Sequence, residues 1–333
     1  MEELCKLIVS KTPLRLTLGG GGSDLPSYSS KYGGFVVTSA IDKYIYLIVN
    51  HRFEEPVRVS YSITEIVEPI GSIKHPVIRE ALELLNLRSN LEIISIAEVP
   101  AETGLGSSSS FTVGLLHALH MYKDEHLTRQ ALAEEACRLQ MEILKEPCGF
   151  QDSFIAAFGG FVCLDIDKNG LVNVSALRIR DDAVRELENN LVFFYTGIKR
   201  SSSVVLKDQG YAVKQDGSKE LEAMHEVKEI GYKVKRALES GNIAEFGKLQ
   251  HEHWMVKKRT SAAISSGLID KWYDLGLKNG ALGGKLMGAG GGGFLMFYCE
   301  NSRDKLRKAM AKEGLREVRF GFEPDGSKIP LHL

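Results

Sequence analysis

The chain has 333 residues, of which 44% are hydrophobic and 26% charged, and a formal net charge of −1. That length allows one large or two ordinary domains, and the balanced charge offers no basic field for nucleic acid and no like-charged tail. The cysteines at positions 5, 137, 148, 163 and 299 form no C-x-x-C pair, which indicates neither a zinc ribbon nor a disulfide framework and fits a reduced, cytoplasmic setting. Met1 to Lys11 lacks the apolar stretch of a secretory signal, and the apolar run Tyr44 to Val49 is too short to span a bilayer.

Leu7 to Ser10 and Leu14 to Leu18 are short β-prone runs on either side of Lys11-Thr12-Pro13. A first glycine-rich loop follows, Gly19 to Gly22 and then Ser23-Asp24-Leu25-Pro26. Four successive glycines have no use inside a strand or helix, and they suit a backbone that a ligand or another loop approaches closely. Phe35 to Ala40 and Tyr44 to Asn50 read as two strands with a turn near Asp42-Lys43, and two more β-like runs follow at Val57 to Tyr61 and Ile63 to Val67. Pro76 to Leu87 predicts a short helix and Leu91 to Val99 a strand.

That strand runs into Pro100-Ala101-Glu102-Thr103-Gly104-Leu105-Gly106-Ser107-Ser108-Ser109-Ser110, and Phe111 to Met121 continues with helical spacing. A strand, glycine loop and helix start gather unpaired backbone N–H groups and the positive end of a helix dipole at one point, which makes an anion site. Phosphate is the commonest biological anion of that size. A serine N-cap on a core helix is the simpler alternative, but a cap needs one serine and there are four here.

Leu127 to Lys145 reads as one helix, broken at Glu146-Pro147-Cys148-Gly149, with further helical turns over Ser153 to Phe158. Gly160 to Ile166 and Leu171 to Ile179 pair around Asn169-Gly170. Asp181 to Asn190 predicts a polar helix, and Leu191 to Thr196 a strand. Lys199-Arg200 precede a serine-rich turn, and Lys207 to Lys219 carries no periodicity. Long helices follow at Glu220 to Glu239 and Ile243 to Lys258, then a third glycine stretch at 280–293, a strand at Phe294 to Cys299, a helix at Ser302 to Glu313 and a short strand near Val318 to Phe320. Gly288 to Gly293 matches G-x-G-x-x-G formally, yet it leads into a strand rather than a helix, which argues against a dinucleotide site. Strands and helices mix without β-α-β alternation, so the class is α+β, with a boundary near residue 190 giving units of 1–190 and 191–333.

Taken together, the three glycine stretches resemble the motifs of the GHMP kinases. Pro100 to Ser110 is similar to their second motif, P-x-x-x-G-L-G-S-S. Gly284 to Gly293 looks like the third, and Thr12-Pro13-Leu14-Arg15 with Gly19 to Asp24 looks like the first. Within that superfamily, Gly20 to Pro26, Ala40 to Tyr44, Gln151-Asp152 and Tyr195-Thr196-Gly197 look most like the kinases of heptose 7-phosphates, with the L-fucokinases near; galactokinases tend to carry Gly-Glu-His-x-Asp where Gly-Gly-Ser-Asp stands here. The resemblance implies an N-terminal domain like ribosomal protein S5 domain 2, a ferredoxin-like C-terminal domain, and substrates in the cleft between them. It also implies an ATP- and Mg²⁺-dependent kinase acting on an anomeric sugar hydroxyl. The expected partner is a small-molecule sugar phosphate, with no nucleic acid or membrane and with homodimerisation left open.

Carried over residue by residue, the resemblance assigns Gly104, Leu105, Gly106, Ser107, Ser108 and Ser109 to the triphosphate. Ser108 is also assigned to Mg²⁺, with Glu142 as its carboxylate partner; a straight count lands nearer Gln140, and a solvated helix position is the alternative. Asp152 becomes the acceptor of the sugar hydroxyl proton, or a helix cap, and Arg15 the cation beside it. Asp24 with Gly21, Gly22 and Ser23 would meet sugar hydroxyls, Gly290 and Gly291 would face the substrate, and Lys199 with Arg200 would cradle a distal phosphate. Lys11, Lys31, Lys43 and Lys285 are weaker candidates for that phosphate. Two other readings stay open: a kinase of the mevalonate or homoserine branch, and a non-enzymatic sensor on the same fold. The presence of Arg15, Ser108 and Asp152 disfavours the sensor.

Overall fold

The structure, a computed structural model, describes residues 6–199, 205–208, 210 and 217–333. Arg200 and most of the stretch Lys207 to Lys219 therefore lie outside the described residues.

The first runs of the chain form one long strand rather than several short ones. β1 (Leu7–Gly19) pairs antiparallel with β2 (Gly34–His51). Both cross the places where the sequence predicts breaks. Pro13 pairs with Tyr44 and Leu14 with Ile41, so Asp42 and Lys43 are extra residues in β2. Proline has no N–H for the ladder, and a bulge opposite it absorbs the irregularity without ending the strand. The pair Asp42-Lys43 thus marks a bulge and not a turn.

β3 (Val57–Ser60), β4 (Thr64–Val67), β5 (Leu91–Ala97), β6 (Phe161–Ile166) and β7 (Val172–Ala176) join the same sheet. Its main path runs β12-β1-β2-β5-β3-β4, and β6 and β7 extend from the other end of β2. β12 (Lys328–His332) is the surprise: the last described strand returns to pair with β1. Residues 191–333 are therefore not confined to a second unit.

Helices α3 (Ser107–Tyr122) and α5 (Gln151–Phe158) pack on this sheet, α2 (Pro76–Leu84) packs on α3 and α4 (Arg129–Cys137) on both α3 and α5, while α1 (Pro26–Tyr32) follows the first glycine loop. The periodic segment after Leu127 does not remain an α-helix. After Cys137 it widens into a π-helical stretch, Arg138–Ile143, a conformation that shifts which side chains face inward.

The second sheet has strand order β11-β8-β10-β9, with all neighbours antiparallel. Here α6 (Asp181–Asn190) leads into β8 (Leu191–Tyr195). The long helices α7 (Lys219–Ser240) and α8 (Ile243–Lys257) follow, then α9 (Gly267–Lys278), β9 (Gly283–Leu286), β10 (Phe294–Tyr298), α10 (Arg303–Lys312) and β11 (Arg316–Val318). A β-α-β-β-α-β order with the fourth strand beside the first is the ferredoxin-like arrangement. Its core gathers Val192, Phe194, Trp254, Trp272, Tyr273, Leu295 and Phe297. Helix α7 packs on β1 and β2 of the first sheet, and α8 packs on β9 and β10 of the second. The loops after β1, after β5 and before α5 consequently meet the glycine loop between β9 and β10 around one cleft of about 750 Å³. Among the described residues, no helix is long and apolar enough to cross a membrane.

Candidate active site

The cleft is built around the loop that ends β5. Glu102, Gly104 and Gly106 all have positive φ, at 62°, 80° and 77°, which coils the loop tightly before α3 begins at Ser107. Gly106 occupies the N-cap position, and no side chain caps the helix. The four serines therefore do other work. The Ser109 hydroxyl donates to Gln140 Oε1 (2.9 Å) and Ser110 donates to the Pro13 carbonyl (2.8 Å), fastening the helix start to its neighbours. Ser107 and Ser108 line the cleft. Uncapped first-turn N–H groups with two hydroxyls beside them form an anion cradle. The Leu105 side chain is in the core and its carbonyl accepts from the Arg15 N–H (3.0 Å), which anchors the loop to β1.

Arg15 projects from β1 beneath this loop and is almost wholly buried. Its Nε donates to Asp152 Oδ1 (2.8 Å) and its Nη2 to Asp152 Oδ2 (2.7 Å), a two-pronged ion pair. Its Nη1 donates to the Gly104 carbonyl (2.6 Å). One guanidinium thus ties the carboxylate of α5 to the anion loop. Asp152 lies in the first turn of α5, and its side chain retains access to the cleft. Each carboxylate oxygen keeps a lone pair beyond those that Arg15 engages.

On the other side of this pair, Asp24 accepts from the N–H of Gly22 (3.1 Å) and of Gln151 (3.0 Å). Burial pushes its carboxyl up from the usual range and the nearby Asp152 charge adds to this, while the two N–H donors act the other way. Gln151 is itself held by donating to the hydroxyls of Thr17 (2.6 Å) and Thr38 (3.1 Å). Gly21 and Gly22 line the cleft beside Asp24. Ser23 does not: it is buried, donating to the carbonyls of Gly20 and Phe35 and accepting from the Phe35 N–H. It latches the turn, which corrects its assignment to the substrate.

The third glycine loop closes the cleft from the second sheet. Gly288, Ala289, Gly290 and Gly292 line it, whereas the Gly291 N–H is engaged by the Ile264 carbonyl (2.8 Å) and Gly291 is not on the wall. Lys199 is exposed and off the cleft, and Arg200 lies outside the described residues. Of the weaker candidates, Lys285 is buried, donating to the Leu18 carbonyl and facing His253 Nδ1, both at 3.0 Å, and none of the four lines the cleft. At the far end, Tyr61, His75, Val77, Val99 and Phe111 form an apolar, aromatic recess in which His75 stacks on Phe111 with centroids 4.8 Å apart. His75 Nδ1 is buried there without a hydrogen-bond partner.

Residues 73–160 match the model of the GHMP kinases N terminal domain, and residues 234–316 that of the GHMP kinases C terminal. D-glycero-alpha-D-manno-heptose 7-phosphate kinase of Campylobacter jejuni is 32% identical over 336 residues, covering 97% of this chain and 98% of that relative. The chain belongs to the GHMP kinases. It is a phosphotransferase with an alcohol acceptor. A crystal structure of a D-glycero-D-manno-heptose 1-phosphate kinase from Bacteroides thetaiotaomicron superposes with a TM-score of 0.79 at 26% identity, over 96% of this chain and 97% of that one. L-fucokinase/L-fucose-1-P guanylyltransferase of Bacteroides fragilis is 22% identical over 91% of this chain and 35% of its own length.

GHMP kinase membership raises the question of a metal, and the side chains facing Ser108 answer it in part. Glu142 is exposed on the π-helical stretch and is not on the cleft wall. The wider turn brings Gln140 inward instead, buried, with Nε2 donating to Ser108 Oγ (3.3 Å) and to Glu146 Oε2 (3.2 Å). Glu146, in the break after this stretch, lines the cleft. Among the described residues no three His, Cys, Asp or Glu side chains gather as a metal cage. A hydroxyl and one carboxylate suit a hard cation that completes its shell with phosphate oxygens and water. The straight sequence count for that carboxylate falls nearer Gln140 than Glu142, and Gln140 is the residue that meets Ser108. Lys257 was missed altogether: it ends α8, is buried, lines the cleft, and donates to the Gly288 carbonyl (2.7 Å).

Proposed function

We propose that this GHMP kinase is an ATP- and Mg²⁺-dependent sugar kinase that phosphorylates an anomeric hydroxyl, with a D-glycero-D-manno-heptose 7-phosphate as acceptor. One observation carries the reading. The paired contacts of Arg15 to Asp152, with its third contact to Gly104, hold a proton acceptor at a fixed place against the phosphate loop. Phosphoryl transfer needs little from the protein beyond such alignment and charge neutralisation.

The triphosphate is assigned to the start of α3, with the hydroxyls of Ser107 and Ser108, and a flat purine suits the aromatic recess at Tyr61, His75 and Phe111. The sugar is assigned to the Asp24 side. A carboxylate can accept from two neighbouring hydroxyls. Beyond Asp24 the cleft adjoins a second recess of about 360 Å³, walled by Leu25, Pro26, Ser27, Cys148 and Lys207. Its size suits the tail of a seven-carbon sugar, and Lys207 on its wall is a further candidate cation for a distal phosphate. In the reaction, the acceptor oxygen forms a bond to the γ-phosphorus as that phosphorus separates from the bridging oxygen, which leaves with ADP. The hydroxyl proton passes to Asp152. Magnesium bound by Ser108 and Glu146 would neutralise phosphate charge.

Glu146→Gln is expected to raise the Mg²⁺ concentration for half-maximal activity by about 10-fold or more, while Glu142→Gln leaves it unchanged within about twofold. The opposite pattern would return the metal to Glu142.

The whole reading is tested by ADP release from Mg-ATP with D-glycero-D-manno-heptose 7-phosphate, sedoheptulose 7-phosphate, mannose 6-phosphate, L-fucose, D-mannose and D-galactose. Turnover of the heptose 7-phosphate alone is expected. Turnover of L-fucose instead keeps the chemistry and moves the substrate to the fucokinase-like alternative. Saturable sugar binding with no ADP from any acceptor would revive the sensor.

A further inference from the structure

Lys257 occupies a place that the alignment of donor and acceptor does not yet account for. It is the last residue of α8, so a helix of the second sheet delivers it to the cleft. The residue is 8% exposed, and its ammonium donates to the Gly288 carbonyl at 2.7 Å. Gly288 is the residue that lies against Gly104, with a Cβ position only 2.4 Å from the Gly104 Cα. Lys257 therefore bears on the residue packed against the phosphate loop, and it shares the lining of the cleft with Arg15, Asp24 and Asp152, whose charges it feels. Lysines 258, 271 and 285, by contrast, are each matched to a carboxylate or to protein acceptors away from the cleft.

An ammonium can donate three hydrogen bonds, and the Gly288 carbonyl takes one. Burying such a charge is costly unless an anion meets it. We propose, building on the kinase reading above, that Lys257 is a further catalytic residue: its ammonium binds the phosphoryl group in transit, opposite Arg15. The second sheet then contributes charge to the reaction and not merely a wall.

The electrostatics make this testable. Burial, and next the Arg15 charge, lower the Lys257 pKa to about 8, with Asp24 and Asp152 opposing them. Behind it, Lys285 and His253 also feel its charge, and burial is the chief cause that pushes both of their pKa values down. Lys257 itself is protonated below about pH 8 and neutral above. The profile of kcat/KM, which reports groups in the free enzyme, is expected to fall as pH rises through that value.

The test uses Lys257→Met and Lys257→Arg, with kcat, KM for both substrates, pH profiles and thermal unfolding. Lys257→Met is expected to lower kcat by about 10²–10³-fold. Lys257→Arg is expected to retain activity within about tenfold and to lose the alkaline limb near pH 8, because a guanidinium stays protonated there. Should the methionine variant unfold, the arginine profile decides alone. A kcat within about threefold of wild type in Lys257→Met, a loss confined to acceptor KM, or an alkaline limb unchanged in Lys257→Arg overturns the proposal. Those outcomes require a working wild type. No ADP from the wild type with any acceptor defeats the kinase reading itself, and this proposal with it.

Discussion

Asp152→Asn is expected to reduce kcat by about 10²–10⁴-fold, the range for loss of a positioned proton acceptor, with little change in KM for ATP. The substitution keeps shape and volume. It removes the basic oxygen, and it turns an NH₂ group towards Arg15, which can only donate. One of the two contacts at 2.8 and 2.7 Å is then lost, while the Arg15 contact to Gly104 persists. The fold should survive, since the guanidinium keeps an acceptor on each side. Asp152→Ala is the less informative variant. It would leave a buried guanidinium short of two acceptors, and breaking such a pair costs roughly 3–5 kcal/mol where both partners are desolvated; Asp152 is 28% exposed at its side chain, so the cost here is smaller, yet it still mixes stability with chemistry. Single-turnover measurements with Mg-ATP and the acceptor identified by ADP release, alongside thermal unfolding, separate the two effects. A kcat within tenfold of wild type would mean that the anomeric hydroxyl is acidic enough to react unaided and that Asp152 only orients it.

What made Asp152 legible in the sequence is local. A helix pattern stops at Pro147-Cys148-Gly149, and a carboxylate follows at the start of the next helix. The glycine loop before α3 was equally plain as a piece of the cleft wall, because alternating glycines ahead of serines leave few other uses. Side chains whose position depends on distant packing were not legible. Lys257 sits in a helix with ordinary polar periodicity, and only the packing of α8 against β9 carries its last turn to the cleft. Gln140, and not Glu142, faces Ser108 because a π-helical stretch changes the angular step, which a fixed period cannot register. Ser23 sits within a motif of cleft residues, yet it faces the Phe35 backbone. Sequence spacing gives proximity along the chain but not the side on which a turn presents each residue. The same limit explains β12: its residues carry no strong strand pattern, and the edge they pair with, β1, lies more than 300 residues away in the chain.

The third glycine stretch illustrates how two motifs can be one structure. Gly104→Ala is expected to destabilise the fold by about 2–5 kcal/mol, combining strain at a positive φ with overpacking against backbone. A Cβ at residue 104 would lie 2.4 Å from the Met287 carbonyl oxygen and 3.3 Å from the Gly288 Cα, with φ at +80°. Neither neighbour is a flexible side-chain end that can swing aside. Gly293 presses on the same loop, with its Cβ position 2.1 Å from the Thr103 carbonyl oxygen, and is itself held through its carbonyl by the Thr196 N–H and hydroxyl. The loops of the two sheets thus touch backbone to backbone, and the glycines at 104, 288 and 293 are there to permit it. Relief of the clash has to move the Gly104 carbonyl, which is the Arg15 Nη1 acceptor at 2.6 Å, so nucleotide affinity and turnover fall together with stability. Gly267→Ala is the control, because nothing lies within 4 Å of a Cβ there, and a surface change of that kind is expected to stay within about 0.5 kcal/mol. Chemical denaturation and calorimetric titration with Mg-ATP measure both quantities. If Gly104→Ala matches the control in stability and affinity, the two loops are not in contact in solution, and the cleft is a more open site than the packing of these glycines implies.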